Sequence, residues 1–483
     1  MSSDQTAYPY RFERTARVAE LRERHDELEA GGQTNDYVRV AGRVMSARTQ
    51  GRAAFADLQD STGRIQLFAR QNILGDEEMR VFKDLGVGDI VGAEGEVIKT
   101  RRGELSINLK RVTLLAPSLR AMPDQWHGMT NVESRYRQRY LDLLLNPQVR
   151  RVIDARAEAN SATRRFLDER GFVEVETPLL QPVASGAIAR PFITHHKALD
   201  IDLYLRVAPE LYLKRLLVGG LERVYELNRS FRNEGVSAQH NTEFVMLEAY
   251  EAYVDYEDTM SLVEELVRAI AEAVNNTLEV ELLGGGTLDL GKPFARRTMF
   301  DVIEEHAGRD LEGAWRARDS GALIAVAEDL GVHVRPAWPP GKTLLEIFEA
   351  TTERQLIDPT FVTGFPKDVS PLTKDHRSIP GFTEHADLIL CGIEIAPVYS
   401  ELNDPEEQRR RFEQQAAERS HGDDEAMVAD EDFLEALAYG MPPAGGFGLG
   451  MERLLMILLA LPSMREVIVF PTLKPEHGGS EPE

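Results

Sequence analysis

The spacing of apolar and polar positions changes several times along the chain, and each change predicts a new element. Residues 8–30 are polar and rich in Arg and Glu, and Gly31 and Gly32 follow them, which predicts a polar helix with a glycine stop. From Asp36 the texture turns to short period-two runs: YVRVAGRVMSAR, AAFADLQDSTGRIQLFAR and DIVGAEGEVIKTRRGELSINLKRVTLL. Their glycines and the STG turn predict a small all-β barrel of about five strands, best described as an OB-fold. A linker with Pro117, Pro123 and Gly128 follows. Helical spacing then returns in ESRYRQRYLDLLLNPQVRRVIDARAEANSATRRFLDERG, which predicts one long helix ending at Gly171. FVEVETPLLQP predicts a strand broken at Pro178.

The strongest period-two signal lies in residues 222–253, ERVYELNRSFRNEGVSAQHNTEFVMLEAYEAY. Residues 224–232 and 244–253 are rich in aromatic and β-branched side chains, and Asn233, Gly235, Ser237 and Asn241 between them form turns, so a long antiparallel hairpin is predicted. On its second strand Phe244, Met246, Glu248 and Tyr250 share one face, and Val245, Leu247 and Ala249 share the other. The first face suits a polar ligand and the second a core. Arg232 and Glu234 stand at the mouth of the loop, where a guanidinium can meet a phosphate or carboxylate in fork geometry.

Around the hairpin, a Gly/Ala/Ser loop leads to a strand alternating Ile201, Leu203 and Leu205, then to an amphipathic helix opened by Pro209 and Glu210. In that loop Gly186 leaves room for a ligand to approach backbone amides. SLVEELVRAIAEAVNN predicts an amphipathic helix, and residues 297–355 further helices interrupted by RPAWPPG. LIDPTFVTGFPKDVSP and HADLILCGIEIAPVYSELNDP predict strands, and EEQRRRFEQQAAERSHGDDEAMVADEDFLEALAYG a charged helix. GGFGLGMERLLMILLALPS predicts a Gly-rich strand running into a buried helix, with REVIVFP closing the sheet and GGSEPE as a disordered tail. GFGLGMER lacks the spacing and the following βαβ unit of a dinucleotide fingerprint. Its alternating glycines let a base or ribose lie against the strand, and Arg453 in the first turn of the helix can meet phosphate oxygens.

Composition narrows the classes. The chain has 483 residues, 42% hydrophobic and 28% charged, enough for two or three domains with a sizeable core. Nothing approaches the run of about 18 apolar residues that a membrane span needs. The N-terminus MSSDQTAYPYRFER carries no apolar core for export. One cysteine, Cys391, excludes an internal disulfide and a cysteine-rich metal site, which fits a reducing compartment. His195 and His196 have no third ligand at sensible spacing, so a metal site there is not expected. With 56 basic against 80 acidic residues the net charge is −24, so any RNA contact must use local basic groups. Arg11, Arg14, Arg17, Arg22 and Arg24, and Lys99, Arg101, Arg102, Lys110 and Arg111, are the candidates.

FRNEG, a short loop, His240 and TEF together resemble the motif 2 hairpin of class II aminoacyl-tRNA synthetases, and the flanking YELNRSFRNEG and FVMLEAYEAY resemble its lysyl-tRNA synthetase form. FVEVETPLLQP resembles motif 1, which forms the dimer interface in that family, and GFGLGMER resembles motif 3. The likeness runs from roughly residue 10 to residue 474, with the motifs in the family's order and spacing. It implies a multidomain α+β protein, an N-terminal OB-fold β-barrel plus a class II catalytic domain built on an antiparallel sheet flanked by helices. The implied division is 1–118 for the N-terminal helix and anticodon-binding barrel, 119–146 for a linker, 147–475 for the catalytic domain with a helical insertion at about 297–355, and 476–483 for the tail.

The resemblance further implies an ATP-dependent ligase. It would activate L-lysine to lysyl-adenylate with release of pyrophosphate, and transfer lysine to the 3′ end of tRNA(Lys) with release of AMP. Arg232 would hold the α-phosphate and the substrate carboxylate, and Arg453 the γ-phosphate. Phe244 would stack on adenine, with Glu234 and His240 nearby. Asp387 and Glu394 would hold Mg²⁺, as hard cations take carboxylate oxygens. Glu248 and Glu401, walled by Tyr250 and Tyr399, would pair the ε-ammonium, and Glu210 the α-ammonium, beside Gly186. Anions desolvated in this way reject neutral side chains. Arg48, Phe55, Gln66 and Glu104 would contact the anticodon, the aromatic by stacking and the amide by reading a base edge. Phe68 is a second candidate platform. The implied setting is a cytoplasmic homodimer.

Two positions depart from the family pattern: Asp387 stands where Glu is usual, and Pro397 where Asn is common, two residues before the aromatic wall. The loss of one hydrogen bond worth about 0.5–1.5 kcal/mol follows, or its replacement by water. A synthetase for aspartate, asparagine or a lysine relative is the first alternative; Glu248 and Glu401 oppose the first two. A non-charging RNA-binding or regulatory paralogue is the second, and a lysyl transferase acting on protein or lipid a third.

Overall fold

In a computed structural model of the chain the described residues are 8–123, 129–187, 189–335, 338–420 and 427–475. Gly128 of the expected linker and the expected tail lie outside them. Contacts divide the chain into two units, Met1–Thr130 and Asn131–Glu483.

The first unit runs α1 (Val18–Arg24), β1 (Gln33–Gln50), β2 (Ala53–Gln59), β3 (Arg64–Arg70), α2 (Gln71–Leu74), α3 (Asp76–Lys83), β4 (Ile90–Lys99) and β5 (Leu105–Ala116). The strands close a barrel in the order β1-β2-β3-β5-β4, as the period-two runs predict. Only the β3–β5 pair is parallel. Alternation sorts the two sides of the wall: Ala54, Ala56 and Leu58 are buried in the interior, and the residues between them are half-buried. The expected helix over residues 8–30 shrinks to α1. Upstream, Thr15 donates its N–H to the carbonyl of Arg39 (2.9 Å) and accepts from the Arg39 N–H through its hydroxyl (2.8 Å), so the chain pairs with β1 instead of coiling. The β2–β3 turn then caps α1, with Asp60 and Thr62 accepting from the N–H groups of Val18 and Ala19 (both 3.0 Å).

The second unit opens with α4 (Val132–Arg137), α5 (Arg139–Leu145) and α6 (Pro147–Asp168) in place of the single expected helix. The last break follows from Pro147, which forces Asn146 into an extended conformation (φ −117°, ψ 95°) and starts a new helix at its own position. Buried Asp142 holds the first break together, accepting from Arg135 (3.0 Å) and Arg139 (2.6 Å). Next come β6 (Val173–Glu174), β7 (Leu180–Gln181), β8 (Phe192–His196), β9 (Ile201–Leu205), α7 (Glu210–Val218), β10 (Arg223–Phe231), β11 (Glu243–Ala252) and α8 (Tyr256–Asn275). The expected strand around Pro178 is therefore two short ones, placed in different sheets. After β12 (Glu279–Glu281), β13 (Thr287–Asp289) and β14 (Ala295–Thr298) the helical region is α9 (Met299–Ala307), α10 (Glu312–Arg316), α11 (Ser320–Asp329) and α12 (Pro340–Thr351). The chain ends with β15 (Thr360–Thr363), β16 (His385–Leu390), β17 (Ile393–Ser400), α13 (Pro405–Ser420), α14 (Glu431–Ala438), β18 (Ala444–Gly450), α15 (Met451–Leu458) and α16 (Met464–Val467).

Among the described residues the central sheet has the order β14-β15-β16-β17-β18-β11-β10-β6, antiparallel except at its two outer pairs. Leu247, Ala249, Ala396, Val398, Phe447 and Leu449 point to one side and pack with Val263, Leu266, Val267 and Ile270 of α8. That buried face fixes the register, because a slip of one residue would turn every apolar side chain outward. The opposite face is left for chemistry. REVIVFP does not close the sheet: Arg465 to Val467 belong to α16, and Arg139 takes the carbonyls of Arg465, Ile468 and Val469 that a strand would need for pairing.

Candidate active site

The hairpin of β10 and β11 pairs Phe231 with Glu243 and Glu226 with Glu248, so Phe244, Met246, Glu248 and Tyr250 project from the free face. At its mouth the Arg232 guanidinium lies over the Phe244 ring, 5.2 Å from the centroid. Its buried Nε has no partner among the described residues. A buried, unused guanidinium donor beside an aromatic face is prepared for an anion attached to a ring.

Arg232 borders two cavities. One, of about 120 Å³, is lined by Glu234, His240, Phe244, Met246, Glu394 and Arg453 among others. The other, of about 270 Å³, is lined by Gly186, Glu210, Glu349, His385, Asp387, Glu394 and Tyr399 among others. Glu394 and Pro397 also belong to both. Arg453, just past the glycines of β18, donates to the Glu394 carbonyl (3.0 Å) and to His240 Nε2 (3.2 Å). Burial and the Arg453 charge push His240 below its usual range, which keeps the ring neutral. Its Nε2 then accepts, and Nδ1–H donates to Ser237 Oγ (2.9 Å).

Glu248, Tyr250 and Glu401 are buried behind the second cavity. The Tyr250 hydroxyl donates to Glu248 (3.1 Å), yet burial and nearby Glu210 push the Glu248 carboxyl up to about 8. Burial lifts Asp387 as well, against the opposing pull of His385, whose Nε2 is 2.8 Å from Asp387 Oδ1. His385 lies between Phe365 and Tyr399. Two glycines allow the close approach: Gly186 has φ +103°, and a Cβ at Gly446 would collide with Glu401 and with the Tyr250 ring.

Three acids and a lysine at this site escaped the reading of the sequence. Glu349 on α12 and Glu353 just after it face Asp387 and Glu394, with Glu346 one turn before Glu349, and burial with the neighbouring acids raises Glu349 to about 8 and Glu353 to about 7. Their spacing in LLEIFEATTER was the available signal. Lys214, one turn after Glu210, ion-pairs with Glu210 (2.6 Å) and Glu401 (2.5 Å). His195 pairs with Asp202 (2.9 Å) and Asp200 (3.3 Å) at the surface.

In the barrel, Arg48, Phe55 and Phe68 form one cross-strand row. The Phe55 and Phe68 rings stack at 4.8 Å, Arg48 lies over Phe55 and Arg70 over Phe68. Neither ring belongs to the barrel core. Gln66 is nearly buried and accepts from Ser106 (3.2 Å), while Glu104 stands half-exposed near Arg22.

An aromatic and cationic cavity thus adjoins an acidic one on a largely antiparallel sheet. Residues 131–474 match the family of class II tRNA synthetases (D, K and N), and residues 38–115 match the OB-fold nucleic acid binding domain. The chain is 52% identical to a lysine–tRNA ligase of Moorella thermoacetica, over 96% of this chain and 94% of the relative. It is 50% identical to one of Xanthomonas oryzae (93% and 88%) and 48% identical to one of Gloeobacter violaceus (98% and 96%). The chain belongs to the class II tRNA synthetases, in the branch that these lysine–tRNA ligases represent.

Proposed function

We infer that this chain is an ATP-dependent lysine–tRNA ligase, forming lysyl-adenylate from L-lysine and ATP and passing lysine to tRNA(Lys). The observation that carries this reading is the placement of Arg232, shared by a cavity with an adenine-sized aromatic wall and a cavity ringed by acids. One guanidinium thereby reaches both the α-phosphate and the attacking carboxylate, and holding the two in line is most of what such a transfer requires.

Phe244 stacks on adenine, with Glu234 and neutral His240 at its rim, and Arg453 meets the γ-phosphate. Asp387 and Glu394 would hold the Mg²⁺ that accompanies ATP. They fit a hard cation, being carboxylates on neighbouring strands, with Asp387 raised by burial and by Glu394, a strain a cation would relieve. Bound there, Mg²⁺ neutralises phosphate charge. Glu210 beside Gly186 takes the α-ammonium, and Glu248, with Tyr250 and Tyr399 as walls, the ε-ammonium. Glu401 completes the acidic wall behind them. In the barrel, Arg48, Phe55, Gln66 and Glu104 meet the anticodon. The active unit is a homodimer, a reading supported by the exposed apolar side chains Val173 on the edge strand β6 and Leu179, Leu180, Ile193, Leu199 and Ile201 on and beside the three-stranded sheet β7-β9-β8. Among the described residues no helix is long and apolar enough to cross a membrane.

Amino-acid-dependent ATP–pyrophosphate exchange with all twenty amino acids, followed by charging of total tRNA, tests the assignment. Exchange with lysine and charging of tRNA(Lys) are expected. Exchange with aspartate or asparagine alone would replace the substrate, and no exchange would favour a non-charging RNA-binding protein.

A further inference from the structure

Lys214 has no counterpart among the roles above, yet its side chain is fully buried inside the acidic wall. A buried ammonium carries a desolvation cost of several kcal/mol unless each N–H finds an acceptor. Two hydrogen bonds, to Glu210 Oε1 at 2.6 Å and the Leu372 carbonyl at 3.2 Å, and an ion pair with Glu401 Oε2 at 2.5 Å surround it. These acceptors come from three separate segments, the start of α7, the stretch before β16 and the end of β17, so the ammonium joins three walls of the second cavity. The Glu401 carboxylate makes no directed hydrogen bond among the described residues, and its Oε1 lies where a Cβ at Gly446 would sit. Its position therefore depends on Lys214.

Charge arithmetic gives the residue a second consequence. Glu210, Glu248 and Glu401 bring three carboxylates to the pocket, and Lys214 brings one ammonium. With all three carboxylates ionised two negative charges remain, and L-lysine carries two ammonium groups, its carboxylate being met separately by Arg232. We propose that Lys214 is a specificity-determining positioning residue: a resident ammonium that ties Glu210 and Glu401 into one wall and trims the pocket's charge to match a diamine. Glu248 is then the one of the three carboxylates with no ion pair among the described residues, left for the ε-ammonium. This rests on the lysine reading above.

The groups that face the cluster are Glu210 and Lys214 on α7, Glu248 and Tyr250 on β11, Tyr399 and Glu401 on or just after β17, and Arg206 and Arg232 at the strand ends. Glu248, pushed up to about 8, must shed a proton to pair with substrate, so wild-type lysine KM falls as pH rises through that value. Without Lys214 the adjoining Glu210 and Glu401 repel, and one of them holds a second proton that lysine must displace.

The experiment is lysine-dependent ATP–pyrophosphate exchange by the full chain from pH 6.5 to 9, for wild type, Lys214→Met, Lys214→Gln and Lys214→Arg. Wild-type exchange with lysine tests the substrate reading by itself. For Met and Gln, lysine KM rises at least about tenfold while ATP KM stays within about twofold, and log KM against pH steepens by one proton. Gln retains two N–H donors for the buried acceptors and reports if Met fails to fold; Arg, keeping the charge, retains the wild-type slope. Unchanged lysine KM and slope in the neutral variants would overturn the proposal. Equal rises in lysine and ATP KM, or a steepened slope in Arg, would overturn it too.

Discussion

Arg232 is the residue on which both halves of the first reaction converge. Its guanidinium rests on Phe244, and its Nε has no protein partner among the described residues, so its hydrogen-bonding capacity is held for ligand. Arg232→Ala is expected to lower kcat/KM for exchange by about 10²–10³, the usual scale for removing a preorganised charge-stabilising donor. Its melting temperature should match wild type, because no ion pair is lost; turnover within a factor of a few of wild type would refute the role. Glu248 offers a test with opposite signs for binding and stability. Its carboxyl is pushed to about 8 in the fold, against an ordinary value of about 4.3 in the unfolded chain. The folded form holds the proton more tightly, so the contribution to stability is complete at low pH and lost as pH rises through about 8. Glu248→Gln removes that loss. The unliganded variant should therefore gain melting temperature relative to wild type between pH 7 and 9, while its lysine KM rises about tenfold or more because the ε-ammonium has lost its anion. A variant that loses stability at pH 9 would show that the carboxylate is already compensated.

Among the elements, β18 shows how backbone composition makes a pocket. Gly446 faces Glu401 and Tyr250, and its missing side chain is the space they occupy. Gly446→Ala forces both to move, at the cost of about 1–3 kcal/mol typical of overpacking. Exchange should lose lysine affinity at least about tenfold with little change for ATP, and circular dichroism melts should fall by a few degrees. Equal losses for both substrates would mean the whole sheet had shifted. This strand was legible in the sequence, as were the barrel and the hairpin, because two-period alternation and glycine placement are local signals. The single helix expected around residue 146 was not, since its polar spacing continues through Pro147 and only the pre-proline geometry of Asn146 reveals the break. REVIVFP read as a strand from its β-branched residues, whereas Arg139, far away in sequence, claims its carbonyls. Of the residues taken from motifs, Arg232, His240, Phe244, Arg453, Glu210 and Tyr399 are among those that line the two cavities, while Glu248, Tyr250 and Glu401 are buried and line neither. Lys214 and Glu349 were missed because their importance lies in partners on other elements.

At the scale of the whole molecule, the chain divides into two units, Met1–Thr130 and Asn131–Glu483, each with its own apolar core, and the proposed function places tRNA selection in the first and amino acid activation in the second. A net charge of −24 gives RNA no general attraction, so recognition must rest on local features such as the Arg48–Phe55–Phe68–Arg70 stack. Both rings stand outside the barrel core, so removing one leaves the barrel's packing largely intact. A base stacked on an aromatic side chain contributes about 1–3 kcal/mol, which corresponds to roughly five- to 150-fold in affinity. Phe55→Ala should therefore raise the KM for tRNA(Lys) within that range in charging assays while leaving lysine-dependent pyrophosphate exchange unchanged. The two readouts separate the units: a fall in exchange would place Phe55 in the activation step, and unimpaired charging would remove it from the RNA contact. The same variant assayed with a tRNA(Lys) altered only in its anticodon sharpens the result, since wild type should lose affinity for that RNA and Phe55→Ala should lose little more.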